Sequence, residues 1–330
     1  MYIHTKTLDD LLRDVFNKLL KSKNLISSTR GDSYEEYGVL LQLNNPTARL
    51  SRTEKKATIF SCLGELLWYL SGSNELDFIK YYIPLYAEDS EDDKTIYGGY
   101  GPRLLNKHGI NQLDNILSLL KQKPQSRRAV IQIFDAEDIT INRKEIPCTC
   151  TFQFLIREKK LHMITSMRSN DAFIGLPHDF FAFTMMQEII ARSLNLKLGI
   201  YKHFVGSLHL YTKNLNDAKQ YLSEGWQDVI SMPEMPFGDP WPSINVLLEY
   251  EHLIRNGEVI DVNSIKLEPY WKDFVLLLLI YRYLKDKNYR DVVHIKNHMS
   301  TNIYENYIRK KLTSKVNNGT SQIQLEIPTT

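Results

Sequence analysis

The segment from Phe180 to Leu194 constrains the fold of this chain more than any other, because its length and apolar content predict a buried helix. Strand patterns lie on both sides of it along the chain. Thr151 to Ile156 and Leu161 to Thr165 flank a polar turn, as the strands of a hairpin do, and another strand is predicted over Tyr201 to Tyr211. Strands from distant parts of the chain, with long helices between them, predict an α+β fold.

The remaining elements follow from the spacing of apolar and polar residues. The predicted helices cover 8–20, 59–70 and 273–285, the predicted strands 37–43 and 128–134, and a predicted loop 27–33. Thr7 is the expected N-cap of the first of these helices. No repeat or linker divides the sequence, so we expect a single domain over residues 1–330.

Composition excludes several classes of protein. The 330 residues are 43% apolar, with 41 Lys and Arg against 39 Asp and Glu, which excludes disorder over most of the chain. A net charge of +2 gives no reason to expect a nucleic-acid partner. The longest strongly apolar run, Phe274 to Ile280, is too short to span a membrane. The N-terminus lacks a secretion signal and three cysteines cannot form a disulfide framework, so we expect a cytoplasmic protein with no membrane partner.

Cys148 lies in the sequence Ile-Pro-Cys-Thr-Cys at the start of a predicted strand. A cysteine at a strand end can face a pocket and act as a nucleophile, but an inert buried cysteine is more common. Cys148 and Cys150 would share one face of the strand, yet no second Cys or His pair completes four metal ligands. The local sequence leaves the role of Cys148 open, and we expect no metal.

Arginines recur in polar segments of the chain. The planar guanidinium suits phosphate oxygens, and a hydroxyl such as that of Ser169 adds a donor. Taken singly, each of these arginines is more typical of a surface salt bridge. The candidates are Arg30, the adjacent Arg127 and Arg128, and Arg168.

Four further residues have both a structural and a functional interpretation. His209 and Tyr211 are two apart on a predicted strand and share a face, where they could bind a sugar hydroxyl or form a half-buried pair. Asp179 precedes the buried helix and is locally more typical of an N-cap. Glu65 lies among apolar helix residues, so it is either on the solvent face or functional.

Taken together, these motifs resemble the thymidylate synthase family in order and spacing over about residues 8 to 215. The resemblance implies a mixed β-sheet packed with long helices and a homodimer that forms through the sheet. From about residue 216 we expect a divergent C-terminal elaboration. The matching segments are Arg30-Gly31, Glu65-Leu66-Leu67-Trp68-Tyr69-Leu70, Tyr97-Gly98, Ser126-Arg127-Arg128, Pro147-Cys148, Gln153-Phe154, Arg168-Ser169-Asn170-Asp171, Gly175-Leu176-Pro177 and His209-Leu210-Tyr211.

The resemblance implies catalytic roles for three residues. Cys148 would be the thiolate that adds to C6 of a pyrimidine, Glu65 would organise the waters that move protons, and Tyr97 would assist removal of the C5 proton. Nearby cationic groups would favour the thiolate form of Cys148.

The resemblance also implies a binding site that two subunits share. The substrate is a pyrimidine nucleoside monophosphate, and the co-substrate is 5,10-methylenetetrahydrofolate. The implied phosphate ligands are Arg30, Arg168 and Ser169 of one subunit with Arg127 and Arg128 of the other. The implied ligands of the 3′-hydroxyl are His209 and Tyr211, and that of the folate is Asp171.

One departure from the family pattern bears on the base. Asp179 stands where thymidylate synthases carry an asparagine, whose amide donates to uracil O4 and accepts from N3–H. An aspartate can accept from the N4–H of cytosine and share a proton with N3. Deoxycytidylate hydroxymethylases resemble this chain at the same position, so Asp179 favours cytosine.

Other departures argue against ordinary thymidylate synthesis. Thr149, Met167 and Ser207 replace a usual histidine, glutamine and aspartate. The segment 83–94 lacks the tryptophans of the family and is expected to admit water, and residues 326–330 do not resemble the tail that closes over folate.

The sequence therefore predicts a cytidylate 5-hydroxymethylase, closest to the dCMP/CMP branch of the family. This enzyme would transfer a one-carbon unit to C5 of dCMP or CMP and add water, giving 5-hydroxymethyl-(d)CMP and tetrahydrofolate. The alternatives are a thymidylate synthase, a dUMP hydroxymethylase and a catalytically silent nucleotide-binding protein.

Overall fold

A mixed β-sheet of seven strands forms the centre of this computed structural model, which describes residues 1–56 and 58–317. The strands are β1 (Tyr2–Thr5), β2 (Leu25–Ser28), β3 (Gly31–Leu43), β4 (Val130–Gln132), β5 (Thr149–Arg157), β6 (Lys160–Asp171) and β7 (Lys197–Tyr211). They pair in the order β1-β3-β7-β6-β5-β4, with β2 attached to β3. The pairs β1/β3 and β6/β7 are parallel and the others antiparallel, which confirms the α+β class and the mixed sheet.

Helices cover the sheet and extend beyond it toward the C-terminus. The α-helices are α1 (Leu8–Leu19), α2 (Ile59–Leu70), α3 (Leu76–Tyr82), α4 (Tyr100–Leu105), α5 (Gln112–Gln122), α6 (Gly175–Ser193), α7 (Leu215–Ser223), α8 (Trp241–Arg255), α9 (Pro269–Lys285), α10 (Tyr289–Lys296) and α11 (Glu305–Asn317). None of the helices in the described chain is long and apolar enough to cross a membrane.

The predicted buried helix is α6, which lies in the core between the sheet and α2. Gln187 Nε2 donates to Leu161 O at 2.9 Å and thereby ties α6 to β6. The helix begins at Gly175 rather than at Phe180, because Pro177 occupies the first turn, where its missing N–H leaves no hydrogen bond unmade.

The start of α6 corrects the N-cap interpretation of Asp179. The N-cap position is Ile174, and Asp179 lies inside the helix with only 9% of its surface exposed. The backbone N–H groups of Phe173 and Ile174 donate instead to Asp171 Oδ1, at 2.7 and 3.1 Å. Asp179 is therefore free of a capping role.

Two further local predictions are wrong. The segment 27–33, predicted as a loop, forms the β2–β3 hairpin, in which Ser28 pairs with Gly31. The long strand β3 is held by β7 over most of its length, so backbone pairing outweighs the polar composition. The strand predicted over 128–134 is limited to Val130–Gln132, since β4 pairs with β5 alone.

The other predicted elements are confirmed, with small shifts at their ends. Thr7 Oγ1 accepts the backbone N–H of Asp10 at 3.1 Å and caps α1 as predicted. The β5–β6 hairpin turns at Glu158 and Lys159, which both adopt positive φ.

The helices beyond residue 216 pack onto the outer side of α2 and α3. The rings of Phe60 and Tyr281 stack with their centroids 5.5 Å apart, and Tyr82 Oη donates to Glu251 Oε1 at 2.8 Å. That residues 1–330 form one domain stays a prediction. The distinctive tail at residues 326–330 lies outside the described residues.

A buried ion pair joins α6 to two segments around it. Arg49 Nη2 lies 2.5 Å from Glu188 Oε2, and both side chains are fully buried. Glu188 Oε1 accepts the backbone N–H of Met235 at 2.8 Å and lies 3.6 Å from Arg192 Nη2. One carboxylate thus compensates two guanidinium groups that have little contact with water.

Replacement of Glu188 should therefore destabilise the protein strongly. Removing one partner of a buried pair leaves an uncompensated charge, so Glu188→Ala should lower the free energy of unfolding by about 3–5 kcal/mol. Glu234→Ala is the matched control, because Glu234 also pairs with Arg192 but its side chain is 74% exposed. Urea unfolding of both variants checks this, and equal losses would contradict it.

Candidate active site

Cys148 directly precedes β5 and is positioned by the neighbouring strand β6. The backbone N–H of Arg168 donates to Cys148 O at 2.9 Å. The guanidinium group of Arg168 donates to Pro147 O at 2.9 Å and to Ile146 O at 3.0 Å, and its Nη2 lies 3.6 Å from Cys148 Sγ. Strand pairing and one arginine therefore fix the thiol beside a positive charge.

The thiol is nevertheless neutral at pH 7 in this chain. Burial, together with the nearby acidic groups of Glu145 and Asp179, raises the pKa of Cys148 to about 11. Arg168 and Arg30 act in the predicted direction and lower this pKa, but burial outweighs them. Cationic groups of this chain alone do not produce the thiolate that the sequence predicts.

The buried carboxyl group of Asp179 acts on the thiol, and that of Glu65 acts on Asp179. Asp179 Oδ2 accepts a hydrogen bond from Asn170 Nδ2 at 2.7 Å. Burial, together with the nearby charge of Glu65, raises the pKa of Asp179 to about 8. At neutral pH the Asp179 carboxyl is therefore mostly protonated and offers both a donor and an acceptor.

Glu65 is buried rather than on the solvent face, with 6% of its surface exposed. Tyr86 Oη donates to Glu65 Oε1 at 2.6 Å. Tyr86 belongs to a 3₁₀ turn, Pro84–Glu88, in the segment 83–94 that the sequence presents as lacking tryptophans. A tyrosine hydroxyl thus covers the Glu65 side of the site, which composition alone did not indicate.

Among the described residues, no contact places Tyr97 beside the Cys148 thiol. Its ring faces Arg143, whose Cζ lies 3.6 Å from the ring centroid. Tyr100 lies there instead, since its Oη accepts the backbone N–H of Thr149 at 3.2 Å. The sequence offered a signal for this, because Tyr-Gly occurs at both 97 and 100.

Glu145 is a further residue that the sequence did not single out. Its Oε2 accepts the backbone N–H of Gly98 at 3.1 Å, and a Cβ atom at Gly98 would lie 2.1 Å from that oxygen. Burial raises the pKa of Glu145 to about 7, and Asp89 raises it further. A side chain at position 98 would therefore displace this carboxyl group from its hydrogen bond to the backbone of Gly98.

The predicted phosphate and sugar ligands on β6 and β7 lie near the carboxyl ends of these two central strands. Ser169 and Ser207 are opposite one another in the β6/β7 ladder, as are Asp171 and His209. The rings of His209 and Tyr211 meet edge to face, with centroids 4.9 Å apart, which confirms that they share a face.

Arg30 reaches the same region from the turn before β3. Its guanidinium lowers the pKa of Cys148 and of Tyr211, so its charge acts on both the thiol and the sugar side. Arg30 Nη2 lies 2.5 Å from Asp89 Oδ1, and this ion pair positions the guanidinium group.

Arg127 and Arg128 are not part of this cluster. Both are exposed after α5, and neither forms an ion pair with a described residue. Arg127 O accepts a hydrogen bond from Gln153 Nε2 at 3.0 Å, and the backbone N–H of Arg128 donates to Ser126 Oγ at 3.1 Å. The backbone of this segment is therefore fixed, while both side chains are exposed to solvent.

Two further groups of residues could bind a ligand, and they differ in whether their polar atoms already have partners. Asp171 Oδ2 forms no hydrogen bond with the described residues, and Lys56, buried over the ring of Phe173 at 3.5 Å, lies near it. Among the described residues, His108, Asp135 and Glu137 place three ligand atoms within 4.8 Å on the surface. Asp135 is already paired with Lys107 at 2.9 Å, so this group is better explained as a salt-bridge cluster.

Comparison with known proteins gives a consistent assignment. The family described as Thymidylate synthase matches residues 6–246. The chain is 26% identical over 228 residues to the thymidylate synthases of Bacillus subtilis subsp. natto and Bacillus phage phi3T, covering 65% of this chain and 81% of each relative. It is 30% identical over 176 residues to that of Buchnera aphidicola, covering 52% of this chain and 66% of the relative. The match extends past residue 215, where the motifs recognised in the sequence end.

Glu145→Gln and Arg168→Gln should shift the pKa of Cys148 in opposite directions. The first removes a charge that raises this pKa and the second one that lowers it. At pH 8, alkylation of Cys148 should become faster in the first and slower in the second, by up to about tenfold for each pKa unit. Peptide mapping after iodoacetamide treatment measures this, with Cys62 as internal reference and the exposed Glu137→Gln as control. Shifts of the same sign would contradict the charge arrangement.

Proposed function

This chain belongs to the thymidylate synthase family, and from that premise we propose that it is a cytidylate 5-hydroxymethylase. Membership implies a folate-dependent one-carbon transferase that acts on a pyrimidine nucleotide. The proposed reaction converts dCMP or CMP, 5,10-methylenetetrahydrofolate and water into 5-hydroxymethyl-(d)CMP and tetrahydrofolate. The single observation that carries the cytosine assignment is the buried carboxyl group of Asp179, which accepts a hydrogen bond from Asn170 and whose pKa burial raises to about 8.

Cytosine presents an acceptor at N3 and a donor at N4, whereas uracil presents a donor at N3 and an acceptor at O4. Asp179 Oδ2 already accepts from Asn170, which favours the proton on Oδ1. Oδ1–H then donates to N3, and the second lone pair of Oδ2 accepts from N4–H. A buried site whose polar groups match one base discriminates by up to about 10⁴-fold against another.

Covalent chemistry begins at Cys148. Its sulfur adds to C6 of the base, which makes C5 nucleophilic toward the one-carbon unit. Because the thiol is neutral in the free chain, its proton passes to a water molecule as the sulfur attacks C6. Arg168 Nη2, at 3.6 Å from Cys148 Sγ, stabilises the negative charge that the sulfur carries as its proton leaves. Tyr100, rather than Tyr97, is the tyrosine placed to assist proton transfer beside Cys148.

The residues present fit the folate. Asp171 Oδ2 is available to accept from an N–H group of this co-substrate, and the ammonium group of Lys56 lies near it. When bound, the folate supplies one carbon at the oxidation level of formaldehyde.

Loss of the C5 proton and release of tetrahydrofolate leave an exocyclic methylene group at C5. Water adds to this group, and the bond between C6 and Cys148 Sγ then breaks, which releases the product and returns the thiol. The Tyr86 hydroxyl, bonded to Glu65 at 2.6 Å, gives this side of the site two polar groups that can hold such a water. An indole at the same place would expel it. No oxidation of folate accompanies this outcome.

The proposed enzyme is a homodimer that forms through the sheet. Phe204 on β7 and Tyr37 on β3 are 41% and 75% exposed, which is unusual for large side chains on a central sheet. Arg127 and Arg128, exposed without an ion pair among the described residues, would then complete the partner's phosphate site.

A second candidate, thymidylate synthesis from dUMP, is favoured by the names of the relatives compared above, which are thymidylate synthases. A catalytically silent protein is less consistent with a thiol held at 3.6 Å from an arginine beside two buried carboxyl groups.

Products separate these candidates. The enzyme is incubated with methylenetetrahydrofolate and dCMP, CMP or dUMP, and the products are identified by mass. We expect 5-hydroxymethylcytidylate from the wild type and none from Cys148→Ser. Thymidylate as the main product would return thymidylate synthesis to first place.

The Asp179→Asn variant tests how the base is read. Its amide presents the donor that uracil O4 needs, so kcat/KM for dCMP should fall and the relative use of dUMP should rise. Each unpaired buried group costs about 1–3 kcal/mol, or roughly one to two decades in this ratio. Asp179→Glu, which keeps the carboxyl group but displaces it, is the control, and an unchanged dCMP:dUMP ratio in Asp179→Asn would refute the cytosine assignment.

Mixing inactive chains tests the shared site. Cys148→Ser and Arg127→Glu chains should together regain on the order of a quarter of wild-type activity, because each heterodimer contains one intact site. Cys148→Ser mixed with Arg168→Glu is the control and should regain none, since these residues belong to the same subunit's site. No recovery in the first mixture after verified subunit exchange would exclude donation of Arg127.

A further inference from the structure

The carboxyl group of Glu145 lies in the candidate site, yet no step of the proposed reaction uses it. Its Oε2 accepts the backbone N–H of Gly98 at 3.1 Å, and a Cβ atom at Gly98 would lie within 2.7 Å of both carboxyl oxygens. Among the described residues, none forms a hydrogen bond with Oε1. Glu145 is only partly buried, whereas Glu65 and Asp179 are 6% and 9% exposed, so of these three carboxyl groups it is the most accessible to water.

Contacts of the preceding residue tie Glu145 to the segment that follows the 3₁₀ turn Pro84–Glu88. The backbone N–H of Lys144 donates to Glu91 Oε1 at 2.8 Å, and Lys144 Nζ donates to Ser90 O at 2.7 Å. One end of the backbone around Glu145 is therefore fixed against the side of the site that carries this turn.

The other end of this backbone is fixed beside the thiol. Arg168 Nη2 donates to Ile146 O at 3.0 Å and lies 3.6 Å from Cys148 Sγ. Only two residues separate Glu145 from Cys148, so their Cα atoms are at most about 11 Å apart. The carboxyl group is thus held in place by contacts on both sides.

The charge of Glu145 reaches both Cys148 and Tyr86. Burial raises the pKa of the Cys148 thiol, and Glu145 contributes in the same direction. Burial also raises the pKa of Tyr86, as do the charges of Glu65 and Glu145. In the proposed reaction the sulfur of Cys148 bonds to C6, and Tyr86 helps to hold the water. C5 and its methylene group therefore lie between these two residues, within reach of the same carboxyl group.

The acidity of Glu145 suits a group that takes and returns a proton near neutral pH. Burial, together with the charge of Asp89, raises the pKa of Glu145 to about 7. Arg30, Arg103 and the backbone N–H of Gly98 act in the opposite direction. A general base is most effective when its pKa lies near the working pH, which is the case for this carboxyl group.

We propose that Glu145 is the general base that takes a proton from the water that adds to the C5 methylene group. This inference rests on the proposed function and names the group that activates the water. As the water oxygen bonds to the methylene carbon, the electron pair of the exocyclic double bond moves into the ring, and the water proton passes to Glu145 Oε1. The C5–C6 double bond then re-forms, and the sulfur of Cys148 leaves with its bonding pair and takes up this proton.

Glu145→Gln tests the base, because the amide keeps the shape of the side chain and can still accept the N–H of Gly98. The substrate is dCMP or CMP, whichever the wild type accepts, labelled with tritium at C5. Tritium release measures loss of the C5 proton, and mass analysis measures the hydroxymethyl product. We expect formation of this product to fall about 10²-fold or more, as loss of a general base does.

An added thiol, 2-mercaptoethanol, distinguishes loss of the base from loss of earlier steps. A thiol adds to the methylene group without help from Glu145. With it present, Glu145→Gln should still release tritium and should form a 5-thioether instead of the hydroxymethyl product. The exposed Glu137→Gln is the control, and it should release tritium and form the hydroxymethyl product as the wild type does.

The pH dependence gives an independent measurement. The base acts as a carboxylate, so the rate of product formation in the wild type should fall as the pH is lowered through about 7. This decline should be absent in Glu145→Gln. Alkylation of Cys148, by contrast, should become faster in this variant, and a role of Glu145 limited to the charge at the thiol would make product formation faster as well.

Gly98→Ala tests the position of the carboxyl group without removing its charge. The added Cβ would meet only the end of the Glu145 side chain, so the carboxyl group moves and the backbone can stay. We expect the same change from hydroxymethyl product to thioether, with a smaller loss of rate.

The outcomes separate this inference from the proposed function. If the wild type forms no hydroxymethyl product, the proposed function fails and this inference fails with it. If the wild type forms it and Glu145→Gln forms it at an unchanged or higher rate, the base is refuted while the proposed function stands. Equal losses of tritium release and product in the presence of the thiol would also refute the base.

Discussion

The parallel pairing of β6 with β7, joined by α6, is the constraint on which the rest of the site depends. A crossover of this kind places the ends of both strands and the start of the connecting helix at the same edge of the sheet. Arg168 and Asn170 at the end of β6, His209 at the end of β7 and Asp179 in α6 therefore meet without any long loop. Because each is held by backbone pairing or helix geometry, the site is positioned before a ligand binds.

Burial of carboxyl groups gives this edge its chemical character. Asp179 and Glu145 lie near the thiol and Glu65 lies near Asp179, and burial raises the pKa of Asp179 to about 8 and that of Glu145 to about 7. The cations lie farther toward solvent, with Arg30 and Arg168 both exposed. The site thus separates into a rim that attracts an anion and an interior that holds protons, which matches a nucleotide whose phosphate stays outside and whose base goes in.

Sequence patterns predicted the framework well and the interior only in part. Helix α2 and the β5–β6 hairpin follow from apolar spacing, because each is a local pattern with one buried face. The burial of Glu65, the displacement of Tyr97 by Tyr100 and the position of Glu145 against Gly98 depend on contacts between distant segments, which no local pattern contains. The neutral state of the Cys148 thiol is of the same kind, since counting cations cannot reveal how deeply a sulfur is buried.

The helix α9 has a consequence for where a functional chain can end. The family match stops at residue 246, yet Phe274 to Ile280 are at most 2% exposed and Tyr281 stacks on Phe60 of the helix that carries Glu65. A chain shortened to the length of the match would leave this apolar surface in water and invite aggregation. The C-terminal helices are therefore part of what keeps the catalytic half soluble, and they are not an optional appendage.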